Sequence, residues 1–179
     1  DEMLIEFTSA REAGQKILRT NNEIYLYYPD AEELIRMQGA ALRQSVLGSD
    51  FSYEDMTGEK SLLDTYDVQL LGSEEVNGHP CYKIQLEAKT RDVAYPKEII
   101  WVDKELFVGW KVHKFSLSGK LLKEMIVEEI EKVKGDYTPT HIRMEDTMKK
   151  NSGTEFIIEE IQVDIPLESS LFSLEELTW

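Results

Sequence analysis

The residues that could bind a metal or carry out acid–base chemistry are widely separated along the chain. The three histidines, His79, His113 and His141, form no H-x-x-x-H pair, and each lies in or beside a different predicted strand. Zinc motifs place ligands close together in sequence, so this spacing gives a zinc site little support. Lone histidines are usually structural. We therefore predict no metal site and no cofactor.

Nucleophiles and phosphate-binding loops are not recognisable either. The sequence contains no G-x-S-x-G motif, and Gly119-Lys120 lacks the upstream glycine and the following Ser/Thr of a P-loop. Residues 50–55 are acidic, but they have no glycine at the sixth position of an EF-hand loop. The single cysteine, Cys81, cannot form an internal disulfide. Its strand neighbours Ile84 and Leu86 favour a buried thiol over a reactive one.

Carboxylates are so numerous that some pairs must lie close in space. Adjacent pairs such as Glu128-Glu129 and Glu159-Glu160 are typical of strand faces turned to water. A glycosidase-type pair stays open as an alternative, although no pair is singled out by its spacing. We predict that the chain is not an enzyme.

Large apolar side chains are what the sequence offers for binding. Aromatic residues and methionines are more abundant than one compact core obviously needs, and a sheet curved around apolar contents would explain them. The alternative is that each fills the protein's own core. Size and position select seven candidate ligand contacts: Ile24, Leu26, Phe51, Tyr53, Met56, Trp101 and Trp110.

The charge of the chain narrows the choice of partner. Twenty Lys and Arg against 35 Asp and Glu give a formal net charge of −15. A field of that sign repels phosphate backbones and anionic lipid headgroups, so nucleic acid and a bare membrane surface are poor candidates. A basic protein partner stays possible, and so does the alternative that the charge only maintains solubility.

Period-two alternation is typical of half-buried strands and recurs along the sequence. The clearest example has Tyr82, Ile84, Leu86 and Ala88 on one face. Similar patterns occur at Ile142, Met144 and Met148, and at Ile157, Ile161, Val163 and Ile165. Turn signals at Asn21-Asn22, Asn77-Gly78, Ser118-Gly119, Gly135-Asp136 and Ser152-Gly153 favour short antiparallel connections. We predict about ten antiparallel strands.

Three predicted strands are apolar on both faces: residues 23–28, residues 99–102 and part of residues 121–130. Both faces of such strands must be covered, which a lone sheet cannot achieve, so helices or loops must lie across it. The long non-strand stretch 39–64 contains a predicted short helix at 50–56, with Ser49 or Asp50 as N-cap and Gly58 as its end. A second short helix is predicted at 170–177.

A resemblance to a known family rests on a succession of segments. They are residues 4–9 and 14–19, Tyr25-Leu26-Tyr27-Tyr28-Pro29-Asp30, Ile35-Arg36, residues 48–56, residues 101–104, residues 119–123, Ile165-Pro166, Phe172 and Leu177. The block Ser49-Asp50-Phe51-Ser52-Tyr53-Glu54-Asp55 is the most specific. This succession resembles the outer membrane lipoprotein-sorting proteins, relatives of the periplasmic carrier LolA.

The resemblance implies a mainly β fold, in which a curved antiparallel sheet forms a half-open β-barrel with a few short helices over its concave face. It implies a single LolA-like domain over residues 1–179 that lacks the family's leading helix and first strand. The opening residues 1–7 already read as a strand with no signal peptide before them, so we expect N-terminal sequence to be missing. An unpaired sheet edge would then invite a homodimer.

The resemblance also implies a function. LolA-like proteins accept lipoprotein acyl chains in a cavity between sheet and helices, so we expect a periplasmic carrier that aids transfer to the outer membrane. Its cargo would be lipid or lipoprotein acyl chains, with an inner-membrane lipid transporter as a possible partner. The alternative is an interaction or sensor module that recognises a lipoprotein or polypeptide.

Overall fold

The computed structural model describes residues 2–20, 23–58 and 61–178. The chain divides into two compact units. The first unit comprises Asp1–Gln44 and Gln162–Trp179, and the second comprises Ser45–Ile161. In the described residues, no helix is long and apolar enough to cross a membrane.

Strands dominate both units. They are β1 (Met3–Glu6), β2 (Lys16–Arg19), β3 (Ile24–Tyr28), β4 (Glu33–Met37), β5 (Tyr66–Val76), β6 (His79–Ala88), β7 (Lys97–Asp103), β8 (Gly109–Phe115), β9 (Leu121–Val133), β10 (Asp136–Asp146) and β11 (Thr154–Ile157). The α-helices are α1 (Tyr53–Thr57), α2 (Leu62–Thr65) and α3 (Leu174–Leu177). Short 3₁₀ helices cover Pro29–Ala31, Gly39–Arg43, Val46–Gly48 and Ser169–Phe172.

Each unit contains one antiparallel sheet in which neighbours in sequence are neighbours in space. The first unit has the order β1-β2-β3-β4, and the second has β11-β10-β9-β8-β7-β6-β5. The larger sheet ends at β5 and β11 and does not close on itself. The mainly β, antiparallel fold class predicted from the sequence is therefore confirmed. The strands are divided between two sheets.

The hairpin predicted at Asn77-Gly78 is confirmed. It joins β5 to β6 with Val76 opposite His79, and both turn residues have positive φ, 50° at Asn77 and 83° at Gly78. Asn and Gly tolerate this conformation better than other residues, which is why the pair gives a strong turn signal. The turn predicted at Asn21-Asn22 lies outside the described residues.

The strand predicted through Ile161, Val163 and Ile165 is wrong beyond Ile157. Strand β11 ends there, and one further bond joins the amide of Ile158 to the carbonyl of Thr140. Residues 158–165 are not part of a strand, and the chain passes from the second unit to the first after Ile161. Their alternation reflects apolar residues of an irregular segment, in which Asp164 has φ 55°.

The predicted short helix at 50–56 is present as α1, but its N-cap is Ser52, one turn later than Ser49 or Asp50. The Ser52 hydroxyl accepts the Asp55 amide at 3.1 Å, and the Asp55 carboxylate accepts the Ser52 amide at 2.9 Å. This reciprocal capping box satisfies two N-terminal amides of the helix. Asp50 has a different role, since its carboxylate accepts the Gly153 amide and the Thr154 hydroxyl beside β11.

In the first unit, helix α3 lies beside strands β2 and β3. The Lys16 ammonium donates to the Glu176 carbonyl at 3.2 Å, and the Tyr27 hydroxyl donates to the Thr178 carbonyl at 3.4 Å. Lys16 and Tyr27 are cross-strand partners, so both side chains lie on the same face of the sheet. The predicted helix at 170–177 is thus split into a 3₁₀ turn and α3, with Ser173 capping the second part.

The turn between β7 and β8 is held by the buried carboxylate of Asp103. One oxygen accepts the backbone amides of Glu105 and Leu106 at 2.8 and 2.9 Å, and the other accepts the Trp110 indole N–H at 2.8 Å. Burial tends to raise the pKa of Asp103, but these hydrogen bonds outweigh it and lower the pKa.

Replacing Asp103 by alanine should lower the free energy of unfolding by about 3 kcal/mol, because three buried or half-buried donors lose their acceptor. Urea unfolding followed by tryptophan fluorescence measures the change. Asp67→Ala removes an exposed carboxylate from β5 and should stay within about 0.5 kcal/mol of the parent protein. Equal effects of the two substitutions would contradict this role of Asp103.

Candidate functional site

One face of the second unit's sheet carries a continuous row of apolar side chains. Cross-strand pairing places these residues directly opposite one another across six strands, from β5 to β10. We call this set the apolar row: Leu70, Ile84, Ile100, Val112, Met125 and Met144. Five inter-strand steps of roughly 4.8 Å give it a length of about 24 Å.

The apolar row is buried at one end and exposed at the other. Met144 is 1% exposed and Val112 is 7% exposed, whereas Leu70 on the edge strand β5 is 61% exposed. Ile84, Ile100 and Met125 are half-buried between them. An apolar strip that becomes accessible toward an unpaired sheet edge is suited to an elongated apolar ligand.

A charged row runs beside the apolar row, and each of its residues is two positions from an apolar-row residue on the same strand. It contains Glu98 on β7, Lys114 on β8 and Lys123 on β9, which are direct cross-strand partners. Side chains two residues apart on a strand share a face, so these three point to the same side of the sheet as Ile100, Val112 and Met125. Glu98 and Lys123 are buried.

Helix α1 lies on this face and brings Asp55 against the lysines. The Lys114 ammonium donates to Asp55 Oδ1 at 3.0 Å, and the Lys123 ammonium donates to Asp55 Oδ2 at 2.8 Å. The Tyr95 hydroxyl also donates to Asp55 Oδ2, at 3.1 Å. Lys114 lies 3.8 Å from Glu98. We call Asp55, Tyr95, Glu98, Lys114 and Lys123 the buried charge cluster.

The tyrosine ring forms part of the same cluster. The ammonium groups of Lys114 and Lys123 lie 4.4 and 5.6 Å from the centroid of the Tyr95 ring, within the range of cation–π attraction. Tyr95 comes from the segment between β6 and β7 and is itself buried. Its backbone carbonyl accepts the Tyr66 hydroxyl at 3.0 Å, which fixes that segment to the start of β5.

Burial and the neighbouring charges set the protonation states of the cluster. Burial of Asp55 tends to raise its pKa, but the charges of Lys114 and Lys123 outweigh burial and hold the pKa well below its usual range. Burial, followed by the negative charge of Asp55, raises the pKa of Tyr95. At neutral pH, Asp55 is therefore a carboxylate and Tyr95 is a neutral hydrogen-bond donor.

The seven candidate contacts predicted from the sequence are distributed between the two units. Ile24 and Leu26 are buried residues of β3 in the first unit. Tyr53 and Met56 belong to α1 in the second unit and are buried and half-buried, while the buried Phe51 precedes them and packs against Phe156, with ring centroids 6.0 Å apart. Phe51, Tyr53 and Met56 are thus brought to the segment that lies over the charged row.

The two tryptophans are elsewhere in the second unit. Trp101 pairs across strands with Lys83 and Lys111, whose ammonium groups lie 5.2 and 4.2 Å from its ring. Because Ile100 belongs to the apolar row, its neighbour Trp101 points to the opposite face of the sheet. Trp110 packs with Trp101, Val76, Cys81 and Val127 in one buried cluster. Trp101 and Trp110 are thus brought together with each other in this cluster.

The first unit has a shallow cleft of about 320 Å³. Its lining residues are Gln15, Tyr28, Pro29, Asp30, Ala31 and Glu33. None of the seven predicted contacts belongs to this lining.

The histidines and the cysteine all have structural partners. His79 lies 3.2 Å from Asp103, His141 lies 3.1 Å from Glu155, and His113 is bonded to Glu124. In the part of the chain that the structure describes, no three His, Cys, Asp or Glu side chains form a group able to hold a metal ion. Cys81 is fully buried, and burial raises its pKa.

Sequence reasoning missed the buried charge cluster, although a signal for part of it was present. Lys114 occupies an apolar-face position of β8, in step with Val112, and Lys123 does so on β9, in step with Met125 and Val127. A lysine on the buried face of an alternating strand indicates that a partner must cover it. No local pattern identifies Asp55 as that partner, because it lies 59 and 68 residues away in sequence.

Replacing Asp55 by asparagine should lower the free energy of unfolding by about 3 kcal/mol at pH 7, because the buried Lys123 and the half-buried Lys114 each lose an ion-pair partner. The lowered pKa means that the carboxylate stabilises the fold above the usual Asp range and loses this effect as pH falls. Below the ordinary Asp pKa of about 3.9, which applies in the unfolded chain, this stabilisation falls by about 1.4 kcal/mol per pH unit. The penalty should therefore be smaller at pH 3 than at pH 7 by about 1 kcal/mol.

Urea unfolding of both proteins at the two pH values provides the test. Asp64→Asn, an exposed carboxylate on the short helix α2, is the matched control and should change stability by less than about 0.5 kcal/mol at pH 7. A penalty for Asp55→Asn that does not change with pH would show that its ionisation is not what stabilises α1.

Comparison with known proteins places the chain in a family. A family model described as "Uncharacterized protein" matches residues 1–179. No curated protein matches the chain. Among solved structures, a DUF1329 family protein from Desulfovibrio piger is 26% identical, with a TM-score of 0.90, and the match covers 97% of this chain and 75% of the other.

Two further solved structures carry names related to lipoprotein sorting. A LolA superfamily protein from Nitrosomonas europaea is 25% identical over 98% of this chain and 78% of its own, with a TM-score of 0.75. A domain named for outer membrane lipoprotein sorting, from Vibrio parahaemolyticus, is 20% identical over 100% of this chain and 78% of its own, with a TM-score of 0.90, and supports the fold alone. The chain therefore belongs to the family of the matching model, and the resemblance to LolA-like outer membrane lipoprotein-sorting proteins that the sequence indicated is confirmed.

Proposed function

We propose that this protein is a periplasmic carrier that binds acyl chains of lipoproteins, or of another lipid, along the apolar row and aids their transfer to the outer membrane. The observation that carries the proposal is the unbroken apolar row, which crosses six strands and is half-exposed over much of its length.

The driving force would be removal of methylene groups from water. Each buried methylene contributes about 0.8 kcal/mol, so a long chain held against Ile84, Ile100 and Met125 would bind well even after the cost of ordering it. The exposed Leu70 at the edge strand offers an entrance from solvent. The residues of α1, with Tyr53 and Met56, would cover part of the bound chain.

The name of one solved relative supports this choice of cargo. The 25% identical protein from Nitrosomonas europaea is named as a LolA superfamily protein. A carrier of this type acts between membranes, so we propose an inner-membrane lipid transporter as the donor. Release would follow from a receptor that binds better to the form in which α1 has moved away.

Strand β5 supports a route to self-association. It is the edge of the larger sheet, and its residues between Tyr66 and Val76 are exposed. We propose that a homodimer forms through the regular part of β5, before the irregularity between Leu70 and Gly72.

Lipid extraction and native mass spectrometry of protein purified from a periplasmic extract should reveal bound acyl lipid. Addition of oleate to delipidated protein should give saturable binding by isothermal titration calorimetry. If no acyl lipid co-purifies and no acyl ligand binds, the carrier function is excluded.

Ile100→Asn should weaken oleate binding by at least about tenfold, because it places a polar amide in the middle of the apolar row. Leu117→Asn makes a comparable change at the β8–β9 turn, where the leucine is 77% exposed, and should leave the affinity unchanged. Circular dichroism establishes that both variants fold. Equal affinities of the two variants would locate the acyl site elsewhere in the molecule.

A further inference from the structure

We infer that Lys114, Lys123 and Tyr95 form a binding site for the anionic headgroup of an acyl lipid, a carboxylate or a phosphate, and that Asp55 occupies this site as an internal substitute. This inference rests on the proposed function and specifies its substrate class: acyl lipids with an anionic group at the end of the chain.

The geometry around Asp55 is that of a bound anion. Each oxygen of its carboxylate accepts from a different ammonium group, Oδ1 from Lys114 and Oδ2 from Lys123, at 3.0 and 2.8 Å. The Tyr95 hydroxyl adds a third donor at 3.1 Å. Glu98 lies 3.8 Å from Lys114 and offsets part of the positive charge, but two cations and one neutral donor converging on one small anion would also serve a lipid carboxylate or phosphate.

The position of the donors matches an amphipathic ligand. Lys114 is two residues from Val112 on β8, and Lys123 is two residues from Met125 on β9, which is a separation of about 7 Å along each strand. A chain lying on the apolar row would therefore reach the lysines with its terminal group. No rearrangement of the sheet is needed for this contact.

Asp55, which now accepts these hydrogen bonds, belongs to a less stable element than the lysines that donate them. Lys114 and Lys123 belong to β8 and β9, which pair with neighbours on both sides, whereas Asp55 belongs to a helix of five residues. A helix this short has little stability of its own and depends on its capping box and its contacts. Exchange of Asp55 for a ligand anion would thus displace α1 and leave the sheet unchanged.

The energetics also favour a binding role over a purely structural one. Burying two lysines and a carboxylate costs desolvation that the ion pairs only partly recover, and apolar replacements are often as stable or more stable. The chain carries a net charge of −15, so its overall field repels anions. Lys114 and Lys123 form a local positive site within that field. Recognition there must come from direct contact, not from long-range attraction.

The test compares two ligands with the same chain, oleate and oleyl alcohol, in calorimetric titrations at pH 8. The parent protein should bind oleate at least about tenfold more tightly, because only the carboxylate makes charge-assisted hydrogen bonds with the lysines. Acetate at the oleate concentration should not compete, because the headgroup alone lacks the apolar contact.

Variants separate the headgroup site from the acyl site. In Lys114→Met/Lys123→Met, the preference for oleate should fall below about twofold while oleyl alcohol still binds. Asp55→Ala removes the substitute and should strengthen oleate binding more than oleyl alcohol binding. Lys83→Met is the matched control, because Lys83 pairs with Glu74 and lies over Trp101 on the opposite face, so the preference should persist.

The comparison within the parent protein needs no variant and decides the question if the double variant does not fold. Equal affinities for oleate and oleyl alcohol would overturn the headgroup site and leave the carrier function standing. Absence of binding for both would overturn the carrier function itself. Acetate binding that competes with oleate would show a simple anion site, which also overturns the inference.

Discussion

The contact between Asp55 and the two lysines connects the helix to the sheet in the second unit. Without Asp55, the buried Lys123 and the half-buried Lys114 would each lose an ion-pair partner on a strand face that also carries Val112 and Met125. Without the lysines, the five-residue α1 would lose both of the ion pairs that join it to the sheet, and a helix this short has little stability of its own. The covering of the sheet by α1 therefore depends on electrostatic pairing more than on helix propensity.

This dependence explains why an apolar surface can stay half-exposed in the folded protein. The sheet is stabilised by pairing along long central strands, while the segment that covers it is held by the ion pairs of Asp55 and by the packing of Phe51 against Phe156. In the apolar row, Ile84, Ile100 and Met125 stay half-buried. A carrier needs such a surface, because a fully packed interior has no room for cargo.

Local patterns in the sequence predicted the fold well, and long-range pairing limited the prediction of the site. The alternation in β6 and the Asn77-Gly78 turn each depend on a few neighbouring residues, so both were readable and are confirmed. The sequence did not indicate which face of the sheet Trp101 occupies, because its strand is apolar on both sides. Alternation alone also predicted a strand through Ile165, although the chain has left the larger sheet before that residue.

Cys81 is buried, so its thiol is shielded from thiol reagents in the folded protein. Its side chain is fully enclosed among Val76, Trp101 and Trp110, and the chain contains no other cysteine. A cysteine introduced at a half-buried position of α1 would therefore be the sole site for a fluorophore or spin label. The fold thus accepts a single reporter on its most displaceable helix without any prior removal of native thiols.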